Sequence, residues 1–320
     1  MPVSQLCLGT MTFGLQCDED TSRAIMDRAY ERGITFFDTA DAYPLGGDRA
    51  TAGRTEEIVG RWLAGRREEV ILATKANAPM STRRWDRGNS RKHLVEACEA
   101  SLRRLDTDHI DLYQLHADDP NTPLDETIRA LDDLVTAGKV RYVGVSNWAA
   151  WRIALSLGIS ELERRVKFVS VQPRYNLLYR AIERELLPLC RAEHLAVIPY
   201  NPLAGGLLTG KHQRATTPTE GTRFTLGTAA SRYQDRYWHD DEFEAVEALK
   251  AVAEDAGTPL TTLAVAWVLH QPDITSPIIG ASRPDQLDAV LAASDLDLGR
   301  DLTEALETAA RAFELTEATR

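Results

Sequence analysis

Four groups able to handle protons stand at or near the ends of short apolar runs. Asp38 closes the run Ile34 to Phe37, Lys75 closes Val70 to Thr74, and His116 closes Ile110 to Leu115. Tyr43 follows Asp38 by five residues in the stretch Asp38-Thr39-Ala40-Asp41-Ala42-Tyr43. An ammonium at the end of a buried strand is costly without a counter-charge, and Asp38 at the end of the neighbouring strand is its natural partner. A phenol beside that ammonium has its phenolate stabilised. Its pKa is therefore expected to fall below the reference of about 10, making Tyr43 a usable general acid near neutral pH. His116 can hydrogen-bond the same carbonyl oxygen and orient it. Together these groups describe polarisation and protonation of a carbonyl as hydride arrives at its carbon. Each has a plainer reading alone: Asp38 as a turn former, Asp38–Lys75 as a structural ion pair, Tyr43 as a packed loop aromatic, His116 as a satisfied strand-end histidine. Lys75 could also form a Schiff base, but an amine paired with a carboxylate stays protonated and is a poor nucleophile.

The elements that must hold these groups alternate along the chain. Strand-like runs are expected at Leu6 to Gly9, 34–37, 70–74, 110–115, Val140 to Val145, Phe168 to Val171, Leu195 to Ile198 and Pro277 to Ile279. Helical patterns separate them. The clearest places Leu94, Ala97, Cys98, Ser101, Leu102 and Leu105 on one face. Another opens with Thr122 as cap and Pro123 in the first helical position. A long irregular stretch and two helices are expected between strands seven and eight, and a C-terminal helix over about 301–316. The runs are short and mostly non-alternating, as strands buried on both faces should be. Eight strand–helix units with no polar linker favour one α/β domain over 1–320, a (β/α)8 TIM barrel, over two doubly wound domains. In such barrels the site lies at the C-terminal strand ends. Asp38, Lys75, His116, Ser146, Asn147, Gln172, Tyr200 and Gly280 all fall there.

A second constellation follows strand eight. Gly280-Ala281-Ser282-Arg283-Pro284-Asp285-Gln286 is expected to open a helix, where free N–H groups, a hydroxyl and a planar guanidinium suit a phosphate. An ordinary capped helix with a surface arginine is the plainer reading. The glycine-rich stretch Pro199 to Lys211 lacks the GxxxxGK[ST] order of a Walker loop. Tyr200 within it could stack on a flat ring such as nicotinamide. Phe13, Trp85, Trp148, Tyr237 and Trp238 are candidates for pocket walls.

With 320 residues, 43 % of them hydrophobic, the chain can bury an ample core. Lysine and arginine number 37 against 48 acids, and the net charge of −11 argues against nucleic acid or an anionic membrane as main partner. No apolar run approaches the roughly 20 residues of a membrane helix. The N-terminus carries no basic region followed by an apolar one. Cys7, Cys17, Cys98 and Cys190 are scattered without metal-type spacing. The expectation is a cytoplasmic, reduced protein.

Several motifs resemble the aldo-keto reductase superfamily, NAD(P)H-dependent enzymes on a TIM barrel. They are Gly33-Ile34-Thr35-Phe36-Phe37-Asp38-Thr39-Ala40, Leu112-Tyr113-Gln114-Leu115-His116, Gly138 through Asn147, and Ile279-Gly280-Ala281-Ser282-Arg283. The resemblance implies Asp38, Tyr43, Lys75 and His116 as a catalytic tetrad with Tyr43 as proton donor. It implies Ser146, Asn147 and Gln172 around a carboxamide, and Tyr200 as the stacking ring. Ser282 and Arg283 match positions that grip a 2′-phosphate, which implies NADPH. Asn201, Leu203, Gly205, Lys211 and Gln286 match other cofactor-lining positions. The implied activity is reduction of a small-molecule aldehyde or ketone; a nucleotide-binding regulatory subunit with slow turnover is the alternative. Three departures stand out. Only Met1 to Gln5 precede strand one, where the family has a hairpin plugging the floor. Ala289 and Val290 replace a Glu-Asn pair, and Tyr43 leads into a longer loop through Pro44 to Arg49. Within the superfamily the chain resembles the bacterial branch that also resembles potassium-channel β-subunits and deoxysugar reductases.

Overall fold

The computed structural model describes residues 1–214 and 216–314. Its strands are β1 (Cys7–Gly9), β2 (Phe36–Asp38), β3 (Ile71–Ala76), β4 (Ile110–Leu115), β5 (Val140–Ser146), β6 (Phe168–Gln172), β7 (Ala196–Val197) and β8 (Ile278–Ile279). The helices are α1 (Glu19–Glu31), α2 (Arg54–Leu63), α3 (Arg91–Leu105), α4 (Leu124–Thr136), α5 (Ala150–Glu163), α6 (Leu186–Glu193), α7 (Ala230–Tyr237), α8 (Asp240–Asp255), α9 (Leu260–Leu269), α10 (Gln286–Leu291) and α11 (Gly299–Ala309). The strands pair in parallel in the order β7-β6-β5-β4-β3-β2-β1-β8. The sheet's two ends meet through a parallel bridge between Tyr200 and Ile278, where the Ile278 N–H donates to the Pro199 carbonyl (2.8 Å). This is the expected (β/α)8 barrel. No helix among the described residues is long and apolar enough to cross a membrane.

Two apolar layers hold the barrel. Cys7, Phe36, Ala73, Leu112, Ile198 and Ile278 form a small cluster of their own, and the far larger core joins the strands' other faces to the helices. Side chains alternate along a strand. Two residues beyond Phe36, Ala73 and Leu112, the same interior face therefore presents Asp38, Lys75 and Gln114. Val3 packs against the interior cluster, and Ser4 is tied down as well: its hydroxyl accepts from the Thr35 and Phe36 N–H groups (both 3.2 Å). The short N-terminal segment thus covers part of the floor that a hairpin would plug, while α11 packs outside against α8.

The local signals act with some shifts. Asp18 caps α1 by accepting from the Thr21 N–H (2.8 Å), and Ser90 caps α3. Thr122 does not cap α4: its hydroxyl donates to Asp119 (2.7 Å), and Pro123 itself is the extended N-cap residue. Three helices, α7, α8 and α9, lie between strands seven and eight rather than two. The missed one, α7, has tyrosines as its buried residues amid a polar sequence. The helix after strand eight begins only at Gln286, because residues 281–285 first form a turn. The C-terminal helix ends at Ala309 and is followed by a single 3-10 turn, Arg311–Phe313; residues 315–316 of the expected helix lie outside the described residues.

Candidate active site

Asp38 and Lys75, both buried, form an ion pair at the mouth of the interior. The Lys75 ammonium also donates to the Thr39 carbonyl (2.9 Å) and to the Tyr43 phenol oxygen (3.3 Å). The other Asp38 oxygen accepts from the side-chain amides of Gln114 (3.1 Å) and Gln172 (2.9 Å). The carboxylate is therefore satisfied on every side, which is what allows the pair to be buried. The loop carrying Tyr43 is stitched to β3, for the Thr39 N–H donates to the Ala73 carbonyl (2.9 Å) and the Asp41 N–H to that of Lys75 (3.0 Å). The His116 ring meets Tyr43 edge-on at 5.8 Å between centroids. The four groups expected to act together do converge.

Their electrostatics differ from the sequence expectation at one point. Burial pushes the Tyr43 phenol above its ordinary value, more than Lys75 draws it down, and Asp38 adds to the rise. The expected fall does not occur in this dry mouth. The phenol is held protonated near neutral pH, the form a proton donor must have. Burial would lower the Lys75 ammonium, yet the charge of Asp38, then that of Tyr43, carry it above its usual value. His116 is pushed down to about 3, by burial first and then by the charges of Lys75 and Arg232. It is neutral near pH 7, and its Nδ1 is buried without a partner among the described residues.

Neutral burial of His116 has a consequence for stability. The unfolded imidazole binds a proton below about 6.5, whereas the folded one does so only near 3. Stability is thus lost as the pH falls through that interval, by at most about 1.4 kcal/mol per pH unit from this group. Replacing His116 by Gln should flatten the dependence of the urea midpoint between pH 6.5 and 4. Parallel curves for the two proteins would show that His116 is not the buried neutral group.

The residues expected around a cofactor fall into two groups. Near His116, Ser146 donates to the Gln172 carbonyl (2.8 Å), Asn147 donates through its amide to the His116 carbonyl (3.0 Å), and Tyr200 donates to the Asn147 side-chain oxygen (2.9 Å). Asn147 adopts φ +58°, which Asn tolerates. Gln172 sits here too, but its amide is committed to Asp38 and Gln114. Further along, Asn201 is held to Tyr237 (3.1 Å) and accepts from the Gly205 N–H (3.0 Å), and Leu203 packs on the main core. Gly205 has φ +71°, and a side chain there would strike Tyr233 at 2.6 Å, so the loop needs glycine twice over. The second group follows Gly280. Ser282 donates through both its N–H (2.8 Å) and its hydroxyl (3.1 Å) to the Gln286 side-chain oxygen. Arg283, exposed, pairs with Asp285 (3.1 Å). The ammonium of Lys211 is lowered by partial shielding and then by the charge of Arg283. Val290 is buried and the Ala289 carbonyl accepts from Thr262, so the replaced pair serves packing. Of the wall candidates, Phe13, Trp148 and Tyr237 are buried, Trp238 packs on His212, Phe224 and Phe243, and Trp85 stands exposed.

Two contributors were not singled out from the sequence. Gln114 holds Asp38, and its signal is its place two residues before His116 on the same strand face. The Thr39 carbonyl had no signal, since any residue type would supply it.

The family model described as "Aldo/keto reductase family" matches residues 5–311. The chain is 39 % identical to an uncharacterized oxidoreductase, YrpG, of Bacillus subtilis, over 95 % of this chain and 91 % of that one. It is 35 % identical to a probable voltage-gated potassium channel subunit beta of Arabidopsis thaliana (92 % and 89 % covered). Identity with versiconal hemiacetal acetate reductase of Aspergillus parasiticus is 31 % (96 % and 93 % covered). On this breadth of match and on its barrel, the chain belongs to the aldo/keto reductase family of oxidoreductases.

Proposed function

We propose that the chain is an NADPH-dependent carbonyl reductase acting on a small aldehyde or ketone, with Tyr43 as general acid. The observation that carries this reading is the Lys75 ammonium, which bridges the Asp38 carboxylate, the Thr39 carbonyl and the Tyr43 phenol. A carbonyl oxygen placed between Tyr43 and neutral His116 meets two groups that can hydrogen-bond it, and the phenol is the one that Lys75 hydrogen-bonds directly, so the ammonium can stabilise the anion left after proton transfer. Bound NADPH would supply the hydride. Ser146, Asn147 and Gln172 would hold its carboxamide and Tyr200 would stack on its ring. Asn201, Leu203, Gly205 and Gly280 would shape the loops around it. Lys211, Ser282, Arg283 and Gln286 would face its phosphates, and the two cations Lys211 and Arg283, the latter shared with Asp285, fit such an anion. The buried, protonated Lys75 is no nucleophile, which disfavours Schiff-base chemistry. We further read residues 1–320 as one cytosolic barrel domain, in keeping with four free, buried cysteines.

The relatives named as probable potassium-channel β subunits favour a second reading, a nucleotide-binding regulatory subunit with slow turnover. Mixing NADPH-loaded protein with 4-nitrobenzaldehyde and following nicotinamide absorbance separates the two. Rapid loss of absorbance stoichiometric with protein supports the reductase, and a stable signal over many minutes removes it.

Cofactor choice gives a second measurement. A charge-assisted contact to the 2′-phosphate changes a dissociation constant by roughly 10- to 150-fold. Arg283 is exposed and already paired with Asp285, so the preference for NADPH over NADH is expected near the bottom of that range. Arg283→Ala should abolish most of it, and Asp285→Asn should enlarge it. Both are read by fluorescence quenching at fixed salt. Equal affinities for the two cofactors in the unaltered protein would place the 2′-phosphate elsewhere.

A further inference from the structure

Helix α7 sits over the mouth of the barrel and is fastened to it by its two buried tyrosines. The Tyr237 hydroxyl accepts from the amides of Asn201 and Asn176 (both 3.1 Å). Tyr233 lies against Gly205. From there a chain of bonds runs inward, because Asn201 adjoins Tyr200, Tyr200 donates to Asn147, and Asn147 donates to the His116 carbonyl. Next to each anchoring tyrosine stands an arginine, Arg232 before Tyr233 and Arg236 before Tyr237. They are one helical turn apart, so they share a face. Arg232 is exposed and Arg236 half-buried. Neither forms an ion pair or side-chain hydrogen bond among the described residues, although this chain is rich in acids. Their charges act inward: Arg232 on His116 and Arg236 on Tyr200 and Tyr237.

An arginine on a helix tied to the site mouth, unpaired among the described residues and with its charge felt at the neutral His116, is poorly explained by stability. Its charge adds to that of Lys75 on His116, and among the described residues it receives no carboxylate in return. A substrate anion would supply the missing partner. The planar guanidinium fork suits a carboxylate, and α7 is fixed tightly enough to hold that fork at one side of the pocket.

Building on the reductase reading, we propose that Arg232, with Arg236 one turn on, receives an anionic group of the substrate, so that the preferred substrates are carbonyl compounds bearing a carboxylate. The carbonyl oxygen lies between Tyr43 and His116, and the carboxylate lies toward α7. Arg232 acts in binding and orientation and takes no part in proton transfer.

The test separates binding from turnover. Calorimetric titration of the protein in saturating NADP+, where no hydride is available, compares 4-carboxybenzaldehyde with 4-nitrobenzaldehyde. The carboxylated aldehyde should bind about 5- to 20-fold more tightly, the modest part of what a charge-assisted contact gives, since Arg232 is open to solvent. The advantage should shrink as salt is raised. Arg232→Gln should bring the ratio close to one, and Arg232→Lys should restore part of it, keeping the charge without the fork. Equal binding of the two aldehydes by the unaltered protein overturns the proposal, as does a ratio unchanged in Arg232→Gln. A loss of NADP+ affinity in Arg232→Gln as large as the loss for the carboxylated aldehyde would assign the charge to the cofactor and also overturn it. Failure of the reductase reading looks different: neither aldehyde would consume NADPH, whatever their binding ratio.

Discussion

Tyr43→Phe should leave NADPH affinity within about twofold and lower single-turnover reduction of 4-nitrobenzaldehyde by roughly 10²- to 10⁴-fold, the usual worth of a general acid. The substitution removes one oxygen. It keeps the ring that meets His116 edge-on and the ring face that lies 4.9 Å from the Lys75 ammonium. The loop should hold its course, because the bonds that fasten it to β3 come from the main chain of Thr39 and Asp41. What disappears is the proton. His116 cannot supply it near neutral pH, since burial and two nearby cations keep the imidazole neutral. Lys75 cannot supply it cheaply, since deprotonation would leave the buried Asp38 carboxylate without its counter-charge. Turnover within threefold of the unaltered enzyme would rule out Tyr43 as the donor. A collapse of NADPH affinity instead would mean that the phenol serves the cofactor.

Lys75→Met should abolish activity and also destabilise the fold, and the two losses have separate causes. Activity falls because the phenolate left by proton transfer loses the neighbouring cation. Stability falls because Asp38 remains in the interior as an unpaired carboxylate, and breaking a buried pair from one side costs about 3–5 kcal/mol. The Gln114 and Gln172 amides still donate to Asp38, which argues for the lower end. Urea denaturation at pH 7.5 checks this, and the variant's midpoint should fall below that of the unaltered protein. A Lys75→Met protein with normal turnover and an unchanged pH profile would refute the role given to the ammonium.

The barrel and the convergence of Asp38, Lys75 and His116 were legible in the sequence because both rest on short-range rules. Apolar runs of three to six residues mark buried strands, and a polar residue at the end of most of them marks the same rim. Parallel closure then brings those rims together whatever the loops do. Tyr43 was legible because five residues of chain cannot carry it far from Asp38. Other features were settled only in the folded structure, by burial and by side-chain pairings that period and composition do not specify. The direction of the Tyr43 shift is a contest between burial and a neighbouring charge, and no sequence states how dry the mouth is. The Thr122 hydroxyl turned to Asp119, three residues back, instead of capping α4. Gln286 turned its side chain back onto Ser282, and Asp285 took up Arg283, so the expected phosphate site is already partly occupied by the chain's own groups. Helix α7 was invisible because a polar octapeptide with two tyrosines carries little helical signal. Its place over the barrel comes from Asn176, Asn201 and Gly205, residues far from it in sequence. Local pattern thus determined which groups reach the rim. The folded structure decided how each is charged, which neighbouring side chains already engage it, and that α7 brings Arg232 and Arg236, unpaired among the described residues, toward the reacting centre.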